Sequence, residues 1–337
     1  MLISKSRNQG IDLKNGGLMK KVLVCRTDGI GDLLLTTPLI HELAAAGYET
    51  YVLAGLYAGA LLDNNPDVKG IVYYNKENIK FVQKSVKDRG FDLAICAYPR
   101  FEIARMLRKS GIKEIYGTSR RWYSPLFFNR RINISRKKSD RHEADYNLML
   151  APFLGEKQAA GYYYYSAKEE KDRAAHTVKK LGLKERFVII HPGSKGSAWN
   201  LSPEKYAEIA SLIASETGTD VLITGAASEK EIMAKAGADS VNNNEIKILD
   251  ESLSVRDFAA LIGLSSLVIS CSTGPMHIAA ALKIKTLSFF PPKEMAHISS
   301  IRWGALGNKS AIIELNPDGE TPDMDKIRAA IKSLLEL

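Results

Sequence analysis

The sequence predicts an α/β protein of two doubly wound parallel-sheet domains that face each other across a cleft. Three observations carry that expectation. A chain of 337 residues exceeds what one hydrophobic core usually supports, so two domains of roughly 150 residues each are expected. Short apolar runs alternate with helical stretches, the pattern of strands joined by crossover helices. The alternation runs twice, on either side of a changeover marked by Gly161-Tyr-Tyr-Tyr-Tyr165 and the charged run Lys168–Arg173, with the linker near 155–168.

In the first half, Lys21–Cys25 reads as a strand, followed by a glycine-containing turn at Thr27–Asp32 and one apolar helix through Ala46. Strands follow at Glu49–Ala54 and Ile71–Tyr74, separated by the turn Asp63-Asn-Asn-Pro-Asp67. A helix at Ile79–Arg89 leads to Phe91–Ala97, an apolar run between Gly90 and Pro99 that suits a buried strand. A basic stretch precedes a helix over Arg141–Leu154.

The second half repeats the scheme with strands at Phe187–Ile190, Asp220–Thr224, Ile246–Leu249, Leu267–Ser270 and Lys285–Phe290. Ser202-Pro203 caps and starts a helix reaching Glu216, and Ser254-x-x-Asp257 opens another through Leu264. Helices at Ser228–Gly237, Pro275–Leu282 and Asp323–Leu337 complete the expectation. The domains are placed at 19–160 and 161–337, after a flexible leader at 1–18.

Composition narrows the function classes. Hydrophobic residues at 45% and charged residues at 25% exclude a disordered or fibrous chain. The net charge is +9, yet Arg100–Arg141 alone holds 13 Lys+Arg against three acids, so the rest of the chain sums to −1. That distribution disfavours a uniformly basic nucleic-acid binder. Cys25, Cys96 and Cys271 form no C-x-x-C pair and end apolar runs, as expected of buried thiols in a reducing compartment. No apolar stretch approaches the roughly 18 residues of a membrane span, and the leader lacks a signal-peptide core. Met19-Lys20-Lys21 reads as a natural start. A cytoplasmic protein is expected.

Four motifs lie where strands pass into helices. Asp28-Gly-Ile-Gly-Asp32 resembles a dinucleotide fingerprint but has Leu34 at the third glycine position, and Val52-Leu53-Ala54-Gly55 supplies no ribose-binding acid. What remains is the Asp32 carboxylate on a glycine turn, either a helix N-cap or a general base. His191-Pro-Gly-Ser-Lys195 suits phosphate contact through backbone amides and one lysine, or is an ordinary loop. Cys271-Ser-Thr-Gly-Pro-Met-His277 opens a helix whose first amides and dipole make an anion site; His277 contacts a phosphate or packs. Glu229, just past a strand, is placed to hold a ribose diol or simply to occupy a first helical turn. No metal-ligand cluster of His, Asp and Glu is read in the sequence, so no metal is expected.

Together these residues resemble glycosyltransferase family 9, the heptosyltransferases of lipopolysaccharide core assembly. The resemblance rests on Arg26-Thr-Asp-Gly-Ile-Gly-Asp32 with Thr36-Thr37-Pro38, and on His142-Glu-x-x-x-Asn147-Leu with Leu-Gly155. It continues through His191-Pro-Gly193, Ser202-Pro-Glu-Lys-Tyr206, Thr273-Gly-Pro-Met-His277-x-Ala-Ala-Ala281 and Arg302-Trp303. It implies the GT-B fold, two Rossmann-like domains with the acceptor on the N-terminal side and the nucleotide-sugar on the C-terminal side. It also implies metal-free, inverting transfer, typically from ADP-heptose to a phosphorylated lipid A core.

By the same resemblance Asp32 is the catalytic base. Donor contacts are expected at Ser194, Lys195, Glu229, Ser272, Thr273, Gly274 and His277, and acceptor contacts at Gly31, Arg120 and Arg121. The family usually carries Asp where this chain has Ser272, and Lys or Arg where it has Trp199, which loosens the link to heptose in particular. The aromatic and basic run Arg120–Arg131 is expected to meet an anionic glycolipid or the inner face of the inner membrane. Two rival readings use the same residues: a non-catalytic nucleotide-sugar or glycan-binding protein, and an NAD(P)-dependent oxidoreductase.

Overall fold

The computed structural model describes residues 19–194, 196, 198–241, 243–292, 295–315 and 322–336. The expected leader therefore lies outside the described residues. The first sheet contains β1 (Lys21–Cys25), β2 (Glu49–Gly55), β3 (Gly70–Tyr74), β4 (Leu93–Cys96), β5 (Glu114–Thr118) and β6 (Arg130–Ile132). The second contains β7 (Phe187–His191), β8 (Asp220–Ile223), β9 (Ile246–Ile248), β10 (Leu267–Cys271), β11 (Lys285–Phe290) and β12 (Ser310–Glu314).

Both six-stranded sheets follow one plan. The orders are β3-β2-β1-β4-β5-β6 and β12-β11-β10-β7-β8-β9, with parallel pairing throughout. Each order reverses direction beside its first strand, between β1 and β4 and between β7 and β10. Ligands of open α/β sheets bind outside the strand carboxyl ends at such a reversal.

The apolar strands are read on both faces. Val22 and Val24 enter one cluster while Leu23 and Cys25 enter another, because successive residues of a strand point to opposite faces. The first of these clusters also contains Ile189, Leu222 and Ile278 from the second half, so one apolar core joins the two halves. The three cysteines are free and buried, as expected. Among the described residues no helix is long and apolar enough to cross a membrane.

Early helices are α1 (Ile30–Leu34), α2 (Thr37–Ala45), α3 (Leu56–Gly59), α4 (Ile79–Arg89), α5 (Phe101–Lys109), α6 (Ser124–Phe127) and α7 (Glu143–Leu148). Later ones are α8 (Lys168–Lys180), α9 (Pro203–Thr217), α10 (Lys230–Ala236), α11 (Val255–Ile262), α12 (Gly274–Ala281), α13 (Ser300–Trp303) and α14 (Met324–Leu335). The caps at α9 and α11 form as expected: Ser202 accepts the Lys205 N–H and Ser254 the Asp257 N–H.

Three expectations need correction. The single helix through Ala46 is two. Pro38 has no N–H to give Leu34, and the Thr37 hydroxyl donates to that carbonyl instead at 2.6 Å, so the chain breaks between α1 and α2. The helix over Arg141–Leu154 ends at Leu148, and a 3-10 turn at Pro152–Leu154 follows, again where proline removes a donor. The stretch between Arg100 and Arg141 is no plain basic segment: it folds as α5, β5, α6 and β6 and completes the first sheet.

Candidate active site

A cleft of about 890 Å³ lies between the carboxyl edges of the two sheets. That falls within the roughly 300–1,000 Å³ of small-molecule sites. One wall is made by the turn after β1 and the start of α3, and the other by the loops after β7, β8 and β10.

On the first wall, Arg26 leaves β1 and turns inward, only 4% exposed. Its Nε donates to Asp28 Oδ1 at 2.8 Å, and its Nη2 pairs with Asp32 Oδ1. Gly29 occupies the cap position of α1 with no side-chain capping bond, so Asp32 sits in the first turn. The capping role weighed for Asp32 is therefore corrected: its carboxylate faces a guanidinium and lines the cleft, because Ile30 and Gly31 separate it from the cap position. Burial pushes the Asp28 carboxyl up to about 6; Arg26 opposes that shift and the Asp32 charge adds to it.

Behind Arg26 stands Glu143 of α7, 2% exposed. Arg26 Nη1 lies 3.9 Å from it, Arg136 Nη2 2.9 Å and Arg302 Nη2 2.9 Å. Burial disfavours the Glu143 charge, but Arg136, Arg26 and Arg302 outweigh it and hold the carboxyl below its ordinary range. Asn147, one turn on, donates to the Leu35 carbonyl at 2.9 Å and fixes α7 to the break after α1. Sequence reasoning assigned Glu143 and Arg302 no task. The available signal was an acid set directly after a strongly basic segment.

On the second wall, Thr273 caps α12 with extended backbone, but its hydroxyl donates to the Cys271 carbonyl at 3.3 Å and does not cap the helix. The amide end of α12 thus opens on the cleft beside Ser272 and Gly274. The two walls meet at α1 and α12. A Cβ at Gly31 would come 2.6 Å from His277 Cδ2, and one at Gly274 3.3 Å from Ile30 Cβ, so both glycines permit close approach of the halves.

His277 is 3% exposed, and burial, with the nearby His142 ring adding, drives its pKa down to about 3. Its Nδ1 has no hydrogen-bond partner among the described residues. Glu229 accepts the Ala226 N–H at 2.8 Å, and the space a Gly193 Cβ would need is filled by its carboxyl group. The helix-turn use of Glu229 is therefore realised, while the residue still lines the cleft.

Of the expected site residues, Asp32, Gly31, Ser194, Glu229, Ser272, Thr273, Gly274 and His277 all line this one cleft. Lys195 lies outside the described residues. Arg120 and Arg121 do not line it; they sit exposed on the β5–α6 connection, with Arg120 Nε donating to Asn133 Oδ1 at 3.0 Å. Cleft residues that sequence reasoning missed include Tyr57, Phe258 and Trp303.

Two facing doubly wound sheets with a ligand-sized cleft between their carboxyl edges define the GT-B architecture of glycosyltransferases. The profile of glycosyltransferase family 9 (heptosyltransferase) matches residues 79–332, and the chain belongs to that family. A candidate glycosyltransferase of Haemophilus influenzae is 27% identical over 288 residues, 81% of this chain and 83% of that one. Lipopolysaccharide heptosyltransferase 3 of Escherichia coli is 23% identical over 279 residues, 77% of this chain and 79% of its own. The solved structure of E. coli ADP-heptose LPS heptosyltransferase II superposes with a TM-score of 0.77 at 20% identity, over 94% of this chain and 99% of that one. The protein is a glycosyltransferase, and the oxidoreductase reading is set aside.

Proposed function

We propose that this glycosyltransferase works by inversion, with Asp32 as general base and the amide end of α12 as the site of the leaving diphosphate. The observation that carries the proposal is that Asp32 and the start of α12 line a single cleft bounded by both sheets. A nucleotide-sugar held on the second wall presents its anomeric carbon toward Asp32. An acceptor hydroxyl attacks that carbon from the side opposite the diphosphate and loses its proton to Asp32. The bond to the diphosphate oxygen breaks with its electron pair. Uncapped amides and the helix dipole offset the departing charge, so the scheme calls for no metal ion.

Arg26 orients the base by pairing with its carboxylate. The neutral imidazole of His277 fills the joint between α1 and α12. Glu229, Ser194, Lys195 and Ser272 are assigned to the donor. ADP-heptose is the proposed donor, because the E. coli enzyme of the same fold is named for it. An anionic lipopolysaccharide-type glycolipid or other surface glycan, met at the cytoplasmic face of the inner membrane, is the proposed acceptor.

The test is Asp32→Asn. Turnover should fall by about 10²–10⁴, while ADP raises the melting temperature of variant and wild type alike. Undiminished turnover would remove Asp32 from the base role. Absence of product from any nucleotide-sugar, with binding intact, would instead favour the non-catalytic reading that Ser272 suggested.

A further inference from the structure

The strongest feature outside the cleft is an aromatic shelf on the first sheet. Trp122 is 77% exposed, Leu126 63% and Phe101 38%. Phe101 stacks on Trp122 with ring centroids 5.5 Å apart and meets Phe127 edge-on at 5.4 Å. Beneath them Tyr123 is buried and donates its hydroxyl to the Pro99 carbonyl at 2.7 Å, and the Ser124 hydroxyl donates to the Thr118 carbonyl at 2.5 Å. The shelf is therefore built on a fixed base, from which Trp122 and Leu126 stand largely exposed. Exposed cations lie on the same segments, Arg100 and Arg105 beside Phe101 and Arg120 and Arg121 beside Trp122.

We infer that this shelf is a docking surface for an anionic lipid bilayer, with Trp122 and Leu126 entering the headgroup–acyl boundary and the arginines contacting lipid phosphates. The inference deepens the proposed use of a lipid-borne acceptor. Three features commit it to a bilayer. Indole and phenyl rings with exposed arginines on the same segments match an interface that is apolar below and anionic above. Leu126 at the tip offers nothing to a nucleic-acid base or a sugar but suits acyl chains.

Position is the third feature. The shelf grows from the carboxyl ends of β4 and β5, the same sheet edge that presents Asp32 after β1. Arg26 and Arg100 lie over the same Tyr98 ring, at 5.8 and 4.9 Å, so the shelf continues into the cleft wall. A protein seated on this face would hold the cleft mouth at the membrane surface, where the headgroup of a lipid acceptor is found.

The test is sedimentation of the full chain with phosphatidylcholine vesicles, with and without about 30% phosphatidylglycerol, at low and physiological salt. Wild type should sediment with the anionic vesicles alone, with a blue shift of its tryptophan emission. The Trp122→Ser/Leu126→Ser variant should lose about tenfold or more in partitioning, together with most of the blue shift. Its ADP-dependent thermal shift should be unchanged. Failure of wild type to sediment at low salt overturns the inference, as does full retention of the Ser variant.

If Arg120→Gln/Arg121→Gln abolishes retention while the Ser variant keeps it, the contact is charge pairing without insertion, and the inference also fails. Sedimentation reads no turnover. Its outcome is therefore independent of the Asp32→Asn result, and failure of one reading is distinguishable from failure of the other.

Discussion

His277 shows how a single side chain comes to mean something that its neighbours in sequence do not specify. In sequence it follows Gly-Pro-Met at the start of a helix and is equally suited to a phosphate or to packing. In the fold it is buried against Gly31 of the opposite half, and desolvation, aided by His142, lowers its pKa to about 3. The unfolded chain therefore binds a proton there near pH 6.5 that the folded chain refuses until about 3. Stability from this group is complete above the unfolded pKa and is lost as pH falls below it. Between pH 6.5 and 5 the loss should reach up to about 2 kcal/mol. Urea denaturation at pH 7 and pH 5 should show a smaller pH-dependent loss for His277→Gln than for wild type; equal losses would remove His277 from the acid response.

At the scale of elements, α1, α7 and α13 are tied by charge. Glu143 on α7 receives Arg302 from α13 and stands behind Arg26, the partner of Asp32 on α1. Glu143→Gln leaves three buried or half-buried guanidinium groups facing a neutral amide. Removing one partner of a buried pair costs about 3–5 kcal/mol. A loss of roughly 3 kcal/mol in unfolding free energy is expected, together with reduced turnover as Arg26 and Asp32 shift. A variant as stable as wild type would show that these arginines find other partners.

Two of the strands that escaped sequence analysis share a physical reason. β6 (Arg-Arg-Ile) and β12 (Ser-Ala-Ile-Ile-Glu) are edge strands with mostly exposed or half-exposed residues. A strand covered on one side needs no continuous apolar run, and charge on an edge prevents pairing with other chains. Central strands such as Val-Leu-Val in β1 are buried on both faces and show themselves as unbroken apolar runs.

At the scale of the whole molecule, the halves are held by a shared apolar core, by the Arg302–Glu143 pair and by Arg256. Arg256 of α11 donates to the carbonyls of Ala60 and Asp63 at 3.0 and 2.8 Å and to that of Tyr165 at 2.9 Å, and it pairs with Glu170 of α8. Arg256 and Glu170 are 8% and 6% exposed. Arg256→Ala removes a side-chain donor from three carbonyls and the cation paired with the buried Glu170 carboxylate, a loss on the order of 3–5 kcal/mol. Hydrogen exchange should quicken at the segment around residues 60–65 and along α8. Exchange unchanged there would show that the halves hold together without Arg256.

The sequence by itself determined the two-domain α/β plan, the four strand-to-helix turns and the family. These depend on local signals: apolar runs, glycine turns, caps and motif spacing, each written within a few residues. Most of the expected donor residues and Asp32 do line one cleft. Only the tertiary structure decided which of them touch. It placed Gly31 on His277, gave Glu143 three arginines, turned the hydroxyl of Thr273 away from its cap and set Arg120 and Arg121 outside the cleft. The contacts of Glu143 with Arg302 and of Gly31 with His277 join residues more than one hundred positions apart. Charge pairing and desolvation act through space, so no local pattern in the chain encodes them.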